Sequence, residues 1–155
     1  MLAKKALYST LAILFLSLTS YAMAGQLRTD DGYVIYYNAL NTTMLPKEVA
    51  RAYGIVRSKN RAMLNVSVRK GGKGSIKQTK AVLAKVTAQA VNLTGQLKKL
   101  KMRRIEEGDA DERAIYYIAV FNITNEEMWK FTIKVKPDNQ AKVEEIKFRQ
   151  QFFVD

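Results

Sequence analysis

The sequence predicts an all-β protein: one antiparallel sandwich of about seven strands, with a single short helix near residues 46–53. Three observations carry this. Apolar residues recur at every second position in run after run, the period of a half-buried strand. Clusters of Gly, Pro, Asn and Asp interrupt these runs at short intervals. One run, Ile115 to Ile123, is apolar on both faces, as a strand in the middle of a sheet must be.

The first strand is the β-branched and aromatic run Tyr33 to Tyr37. The helix follows. Pro46 suits a first helical position, Val49, Ala50, Ala52 and Tyr53 give it an apolar side, and Gly54 suits the position just past its end. Leu45 is a poor cap, so the start of this helix is weakly held. In the second strand Ala62, Leu64, Val66 and Val68 alternate with Met63, Asn65, Ser67 and Arg69. The Gly71-Gly72-Lys73-Gly74 turn separates it from a third, carried by Val82, Ala84, Val86, Ala88 and Ala90. A fourth alternates Leu100 and Met102 with Lys99, Lys101 and Arg103. The central strand comes next. Trp129, Phe131, Ile133 and Val135 then alternate with Lys130, Thr132, Lys134 and Lys136, the clearest half-buried strand of the set. Ile146, Phe148, Gln150, Phe152 and Val154 form the last. This number of strands at this spacing points to an immunoglobulin-like sandwich.

The N-terminus reads differently. Lys4 and Lys5 precede an uncharged, mostly apolar stretch from Ala6 to Leu18, and Ala22-Met23-Ala24 follows. That order is the one a cleavable export signal has, and the apolar stretch is too short to span a bilayer as a helix. The expected division is therefore a signal peptide over residues 1–24 and a sandwich domain over residues 25–155, periplasmic and soluble after cleavage. With no Cys, neither a lipid-modified cysteine nor a disulfide framework is available. With no His, Ser-His-Asp and Cys-His catalysis and His-ligated zinc are also gone.

The formal net charge is +12, unevenly distributed. Fifteen Lys and Arg and no acid lie between Val49 and Ile105, whereas eleven acids face seven bases from Glu106 onward. Such a field attracts polyanions or anionic membrane surfaces, but a basic solvated surface that keeps strand edges unpaired has the same composition. Arg57 and Lys59 form one basic row with Arg61. Lys99, Lys101 and Arg103 form another, expected to project from one face of one strand about 7 Å apart. These five residues, Arg57, Lys59, Lys99, Lys101 and Arg103, are the candidate binding residues. Nucleic acid is a poor match, because no base-stacking aromatics interleave with the cations.

Other motifs carry less. Gly71-Gly72-Lys73-Gly74-Ser75 has the wrong spacing for a phosphate loop and reads as a hairpin loop. Glu106, Glu107, Asp109, Asp111 and Glu112 surround Gly108 without the spacing of a calcium loop, and read as a solvated hairpin tip. Met44, Met63, Met102 and Met128 are scattered and suit packing rather than copper. No catalytic residue, cofactor or metal site is expected.

Several segments together resemble a known family. They are Tyr37-Asn38-Ala39-Leu40, then Pro46 and Ala50-Arg51-Ala52-Tyr53-Gly54-Ile55-Val56-Arg57-Ser58-Lys59, then Asn65-Val66-Ser67-Val68. Glu107-Gly108-Asp109 before Ile115-Tyr116-Tyr117, and the ending Phe148-Arg149-Gln150-Gln151-Phe152-Phe153-Val154-Asp155, complete them. The chain is similar over nearly all of residues 25–155 to the small exported proteins of Gram-negative bacteria grouped as domain-of-unknown-function family 4426. It departs at Leu45, where the family pattern has a capping Ser or Thr, and in Asp109 to Arg113, which lengthen a hairpin. The resemblance implies a periplasmic β-sandwich and no activity. The expected role is a non-enzymatic interaction module of the cell envelope, engaging an anionic component or another envelope protein. Two alternatives stay open: a small-ligand carrier or atypical enzyme with a pocket near Tyr53 and Arg57 to Lys59, and an assembly partner that recruits another chain at a strand edge.

Overall fold

The computed structural model describes residues 24–71, 79–109 and 112–154. The export signal and most of the Gly71 to Ser75 loop lie outside the described residues. Two antiparallel sheets pack face to face. In sheet A the order is β1 (Gly25–Arg28), β2 (Tyr33–Asn41), β3 (Arg61–Lys70), β8 (Ala114–Asn122) and β7 (Arg103–Glu107). The short β4 (Lys80–Ala81) also pairs with β3, beyond the end of β8. In sheet B the order is β10 (Glu144–Phe152), β9 (Glu127–Pro137), β5 (Ala84–Asn92) and β6 (Leu97–Leu100).

The alternation predicts which residues face inward. Trp129, Phe131, Ile133 and Val135 are each 1% exposed or less, and they meet Ala62, Leu64, Val66 and Val68 of the other sheet in one core. Phe121 stands edge-on to Trp129, Phe131 and Phe152 within it, with ring centroids 5.7–6.2 Å apart. Strand β8 is central, as its double-sided apolarity requires. Ile115, Tyr117, Ala119 and Phe121 enter the shared core, while Ala114, Tyr116 and Ile118 face the other way.

That other side is a second core, roofed by residues 42–55. A 3-10 turn (Thr42–Met44) leads into α1 (Lys47–Ala52). Leu45, Val49, Ala50, Tyr53 and Ile55 pack there on Leu40, Met63, Tyr116 and Ile118. The helix begins one residue later than the sequence suggests: Pro46, at φ −54° and ψ 144°, is the cap, and no side chain bonds the free amides behind it. Its end is as expected. Gly54 has φ 62°, Ile55 N donates to the Ala50 carbonyl (2.8 Å) and Gly54 N to that of Arg51 (3.2 Å), the double closure of a glycine-stopped helix.

The strand count needs correcting: ten among the described residues, not about seven. Strands β1 and β4 are short additions. More instructive is the run from Leu97 to Glu107, which is two strands. β6 ladders onto β5 in sheet B, the chain crosses at Lys101 and Met102, and β7 ladders onto β8 in sheet A. Leu100 and Met102 both still pack on the core. A chain crossing at the side of a sandwich can keep its inward alternation while changing the sheet it bonds to. Periodicity therefore cannot reveal the switch.

Candidate functional site

The outer face of sheet B is bare, and register assigns its members. Val86, Ala88 and Ala90 of β5 and the Trp129 series of β9 point inward, so the residues between them point out. From β5 these are Lys85, Thr87, Gln89 and Val91; from β6, Leu97 and Lys99. From β9 they are Met128, Lys130, Thr132, Lys134 and Lys136; from β10, Glu145, Lys147, Arg149 and Gln151. Seven cations thus share one flat face with a single carboxylate, Glu145, among the described residues.

Glu145 serves two of them, Lys147 at 2.8 Å and Lys134 at 3.9 Å. The hydrogen bond from Lys147 holds the Glu145 carboxyl below its ordinary value, and the same contact raises Lys147. Four of the other five are arranged against each other, and Lys99 faces Gln89. Lys85 stands directly across from Lys136, and Lys130 directly across from Arg149. Like charges in directly opposed positions destabilise a sheet. Beside this array lies an open depression of about 450 Å³ lined by Val86, Thr87, Gln89, Lys99, Met102 and Lys134, among others. It forms because β6 stops at Leu100, opposite Ala88, while β5 runs on to Ala84.

The structure does not gather the five residues singled out from the sequence. Lys99 is on the basic face. Lys101 is exposed in the crossing between sheets, and Arg103 starts β7 in sheet A. The expected row on one strand face is thus corrected, for the reason given above. Arg103 Nη2 donates to the Tyr53 carbonyl (2.6 Å) and Arg57 Nη2 to that of Thr43 (2.7 Å). Both arginines tie down the segment that roofs sheet A. Lys59 is exposed in the turn before β3. The pocket envisaged near Tyr53 is occupied by packing: Tyr53 is 7% exposed, and the Ser58 backbone exchanges hydrogen bonds with the Thr42 hydroxyl.

The acidic hairpin is likewise engaged. Glu106 pairs with Arg104 (2.9 Å) and with Arg113, whose hydrogen bond holds its carboxyl low. Glu107 accepts the Tyr53 hydroxyl, and burial followed by that carboxylate pushes the Tyr53 phenol far up. No cluster of three or more metal-ligating side chains occurs among the described residues, and no helix among them is long and apolar enough to cross a membrane.

Sequence reasoning missed Lys85, Lys130, Lys134, Lys136, Lys147 and Arg149 as a group. The signal was there: each occupies the polar phase of an alternating strand. What the sequence lacks is the strand order that lays those phases side by side.

A crystal structure of a DUF4426 family protein from Pseudomonas aeruginosa PAO1 is similar, with 35% identity over 85% of this chain and 96% of that one and a TM-score of 0.68. The fold also resembles that of FetP from uropathogenic E. coli strain F11, crystallised after recombinant expression in the E. coli periplasm. There the identity is 12%, the coverage 86% of this chain and 95% of that one, and the TM-score 0.56, a likeness of fold alone. No curated protein matches. The family described as Domain of unknown function (DUF4426) matches residues 27–155, so the chain belongs to the DUF4426 family.

Proposed function

We propose that the protein is a non-enzymatic binding module of the bacterial cell envelope that engages an anionic partner through the outer face of sheet B. The observation that carries this is the placement of like charges on inner strands. Protecting a sheet edge explains the cations on β6 and β10, and also Lys85 and Lys136, which lie beyond the ends of those strands, but Lys130 and Lys134 of β9 are paired on both sides. Opposing Lys85 with Lys136 and Lys130 with Arg149 costs stability. A merely solvated face would gain from acids at such positions, whereas a face that receives phosphates or sulfates needs the cations left unsatisfied until the partner arrives.

The periplasmic setting rests on the charged, apolar and Ala22-Met23-Ala24 order of the N-terminus. Intact mass of the protein recovered from an expressing Gram-negative host should correspond to a chain starting at Gly25, and a retained Met1 would remove that setting. Binding is read with dextran sulfate and with vesicles rich in phosphatidylglycerol, each over a salt series. Affinity for at least one should fall steeply with salt, because surface charge attraction is screened within about 8–10 Å at physiological salt. It should also fall in the triple variant Lys130→Ala/Lys134→Ala/Arg149→Ala. Binding to neither probe, or binding indifferent to the triple variant, defeats the reading.

A further inference from the structure

One end of the basic face is apolar, and the β5–β6 hairpin makes it so. Leu93, at the turn, is 73% exposed, and Leu97 is 51% exposed. Leu97 points outward across from Val91, and Met128 shares that face at the same end. Residues 91–97 contain no charge. Turn tips in water favour polar and small residues, so two bare leucines here require an explanation.

The hairpin is also pre-formed. Asn92 Oδ1 accepts from the Gln96 amide and from the Thr94 hydroxyl, both at 2.8 Å. Gly95, at φ 81°, closes the turn by donating its amide to the Asn92 carbonyl (3.1 Å), and Asn92 N donates to the Gln96 carbonyl (3.2 Å). Asn92 Nδ2 donates to Glu127 (2.9 Å), which also accepts the Thr124 amide, so this acid is engaged inside the corner. A turn that satisfies the Asn92 side chain and the Gly95 and Gln96 amides internally strands fewer polar groups when it leaves water. Lys99, Lys130 and Arg149 lie on the same outward face within one or two rows of Leu97.

Resting on the reading above, we propose that the anionic partner is a lipid surface: phosphate headgroups sit on the cations of sheet B, and Leu93 and Leu97 enter the acyl boundary beside them. Cations next to exposed apolar residues are the two signals that interfacial binding needs, since either alone holds a protein weakly and reversibly. A soluble polyanion would use the cations and give the leucines nothing.

The test uses the periplasmically processed protein with vesicles of phosphatidylglycerol and of phosphatidylcholine, and with dextran sulfate. The double variant Leu93→Asn/Leu97→Asn should lose about tenfold or more in affinity for phosphatidylglycerol vesicles. Its dextran sulfate binding and urea midpoint should not change, because both side chains are exposed. In a Leu93→Trp variant, emission should shift to the blue and be quenched by brominated acyl chains on phosphatidylglycerol vesicles, but not on phosphatidylcholine. Unchanged vesicle affinity in the double variant, or unshifted Leu93→Trp emission, overturns lipid insertion. If cation-dependent dextran sulfate binding persists alongside, the basic face stands without it. Dextran sulfate binding with no vesicle binding overturns the lipid surface in favour of a polymer. A concentration-dependent dimer abolished by Leu93→Asn/Leu97→Asn overturns it in favour of a second copy. Failure of both probes defeats the parent reading itself.

Discussion

On sheet A the outward residues Leu40, Met63, Tyr116 and Ile118 are apolar and lie under the roof of residues 42–55; on sheet B the corresponding positions carry Lys85, Lys99, Lys130, Lys134, Lys136, Lys147 and Arg149 and lie under nothing among the described residues. Both faces belong to antiparallel sheets that share one core. The difference is that the chain places its one described helix against sheet A, with Arg57 and Arg103 binding backbone carbonyls of that covering segment. Arg57 and Arg103 on the sheet A side are therefore structural, whereas most cations on the sheet B face are left for something else. Basic residues close in sequence thus divide into two jobs according to the sheet they reach.

The comparison breaks first at the roof. Leu45 is 1% exposed between the 3-10 turn and the helix, so Leu45→Ala should cost about 2–5 kcal/mol in urea unfolding. Thr132→Ala on the outer face of sheet B should stay within about 0.5 kcal/mol. Equal effects would mean that the two faces are not the buried and bare surfaces described. The next largest effect is on binding. Removing three cations in Lys130→Ala/Lys134→Ala/Arg149→Ala should weaken adhesion to an anionic surface by about 3 kcal/mol, at about 1 kcal/mol for each cation. Substituting Arg57 and Arg103, which serve the roof, should instead lower the unfolding midpoint and leave affinity nearly unchanged. Isothermal binding and urea melts on both sets decide it.

How much of this the sequence carries depends on the range of the interaction. Alternation is local, so the inward series Trp129, Phe131, Ile133 and Val135 is legible residue by residue. So are the central place of Ile115 to Ile123 and the helix stop at Gly54. Strand adjacency is not local. The switch of sheet at Lys101 and Met102 leaves the inward alternation intact, so the row of Lys99, Lys101 and Arg103 looks continuous until the ladders separate it. Charge summed along the chain misleads for the same reason. The segment after Glu106 holds more acids than bases, yet five of its seven bases lie on the sheet B face and only Glu145 of its described acids joins them. Of the other described acids, Asp109, Glu112, Glu126 and Asp138 sit in turns, Glu127 and Glu144 start strands in the inward phase, and Glu106 and Glu107 lie on β7 in the other sheet.

A pH series sharpens the comparison from the covered side. Burial, and then the Glu107 carboxylate, raises Tyr53 and Tyr116 under the roof, and burial raises Tyr117 in the shared core. A tyrosine ionises near 10 when unfolded, and its folded value lies above that. Stability from these groups is therefore whole below pH 10 and is lost as pH climbs toward the folded values. Urea midpoints should hold to about pH 10 and fall from there to about pH 11.5, and Tyr53→Phe should make the fall shallower. A midpoint flat to the top of that range would mean that the roof opens to solvent.

The smallest effect tests the bare side, and its sign is what matters. Lys130 faces Arg149 across the β9–β10 ladder. Lys130→Glu turns an opposed like-charge pair into an opposite-charge pair, so it should stabilise the protein by about 0.2–1 kcal/mol, more at low salt than at high. The same change removes one cation from the face and adds an anion, so affinity for an anionic surface should drop. A surface kept basic only for solubility has no reason to hold the less stable residue at this position. A variant more stable and poorer at binding therefore separates function from solvation. If Lys130→Glu instead destabilises, the two side chains do not repel across the ladder, and the argument from opposed charges fails at the pair that most directly carries it.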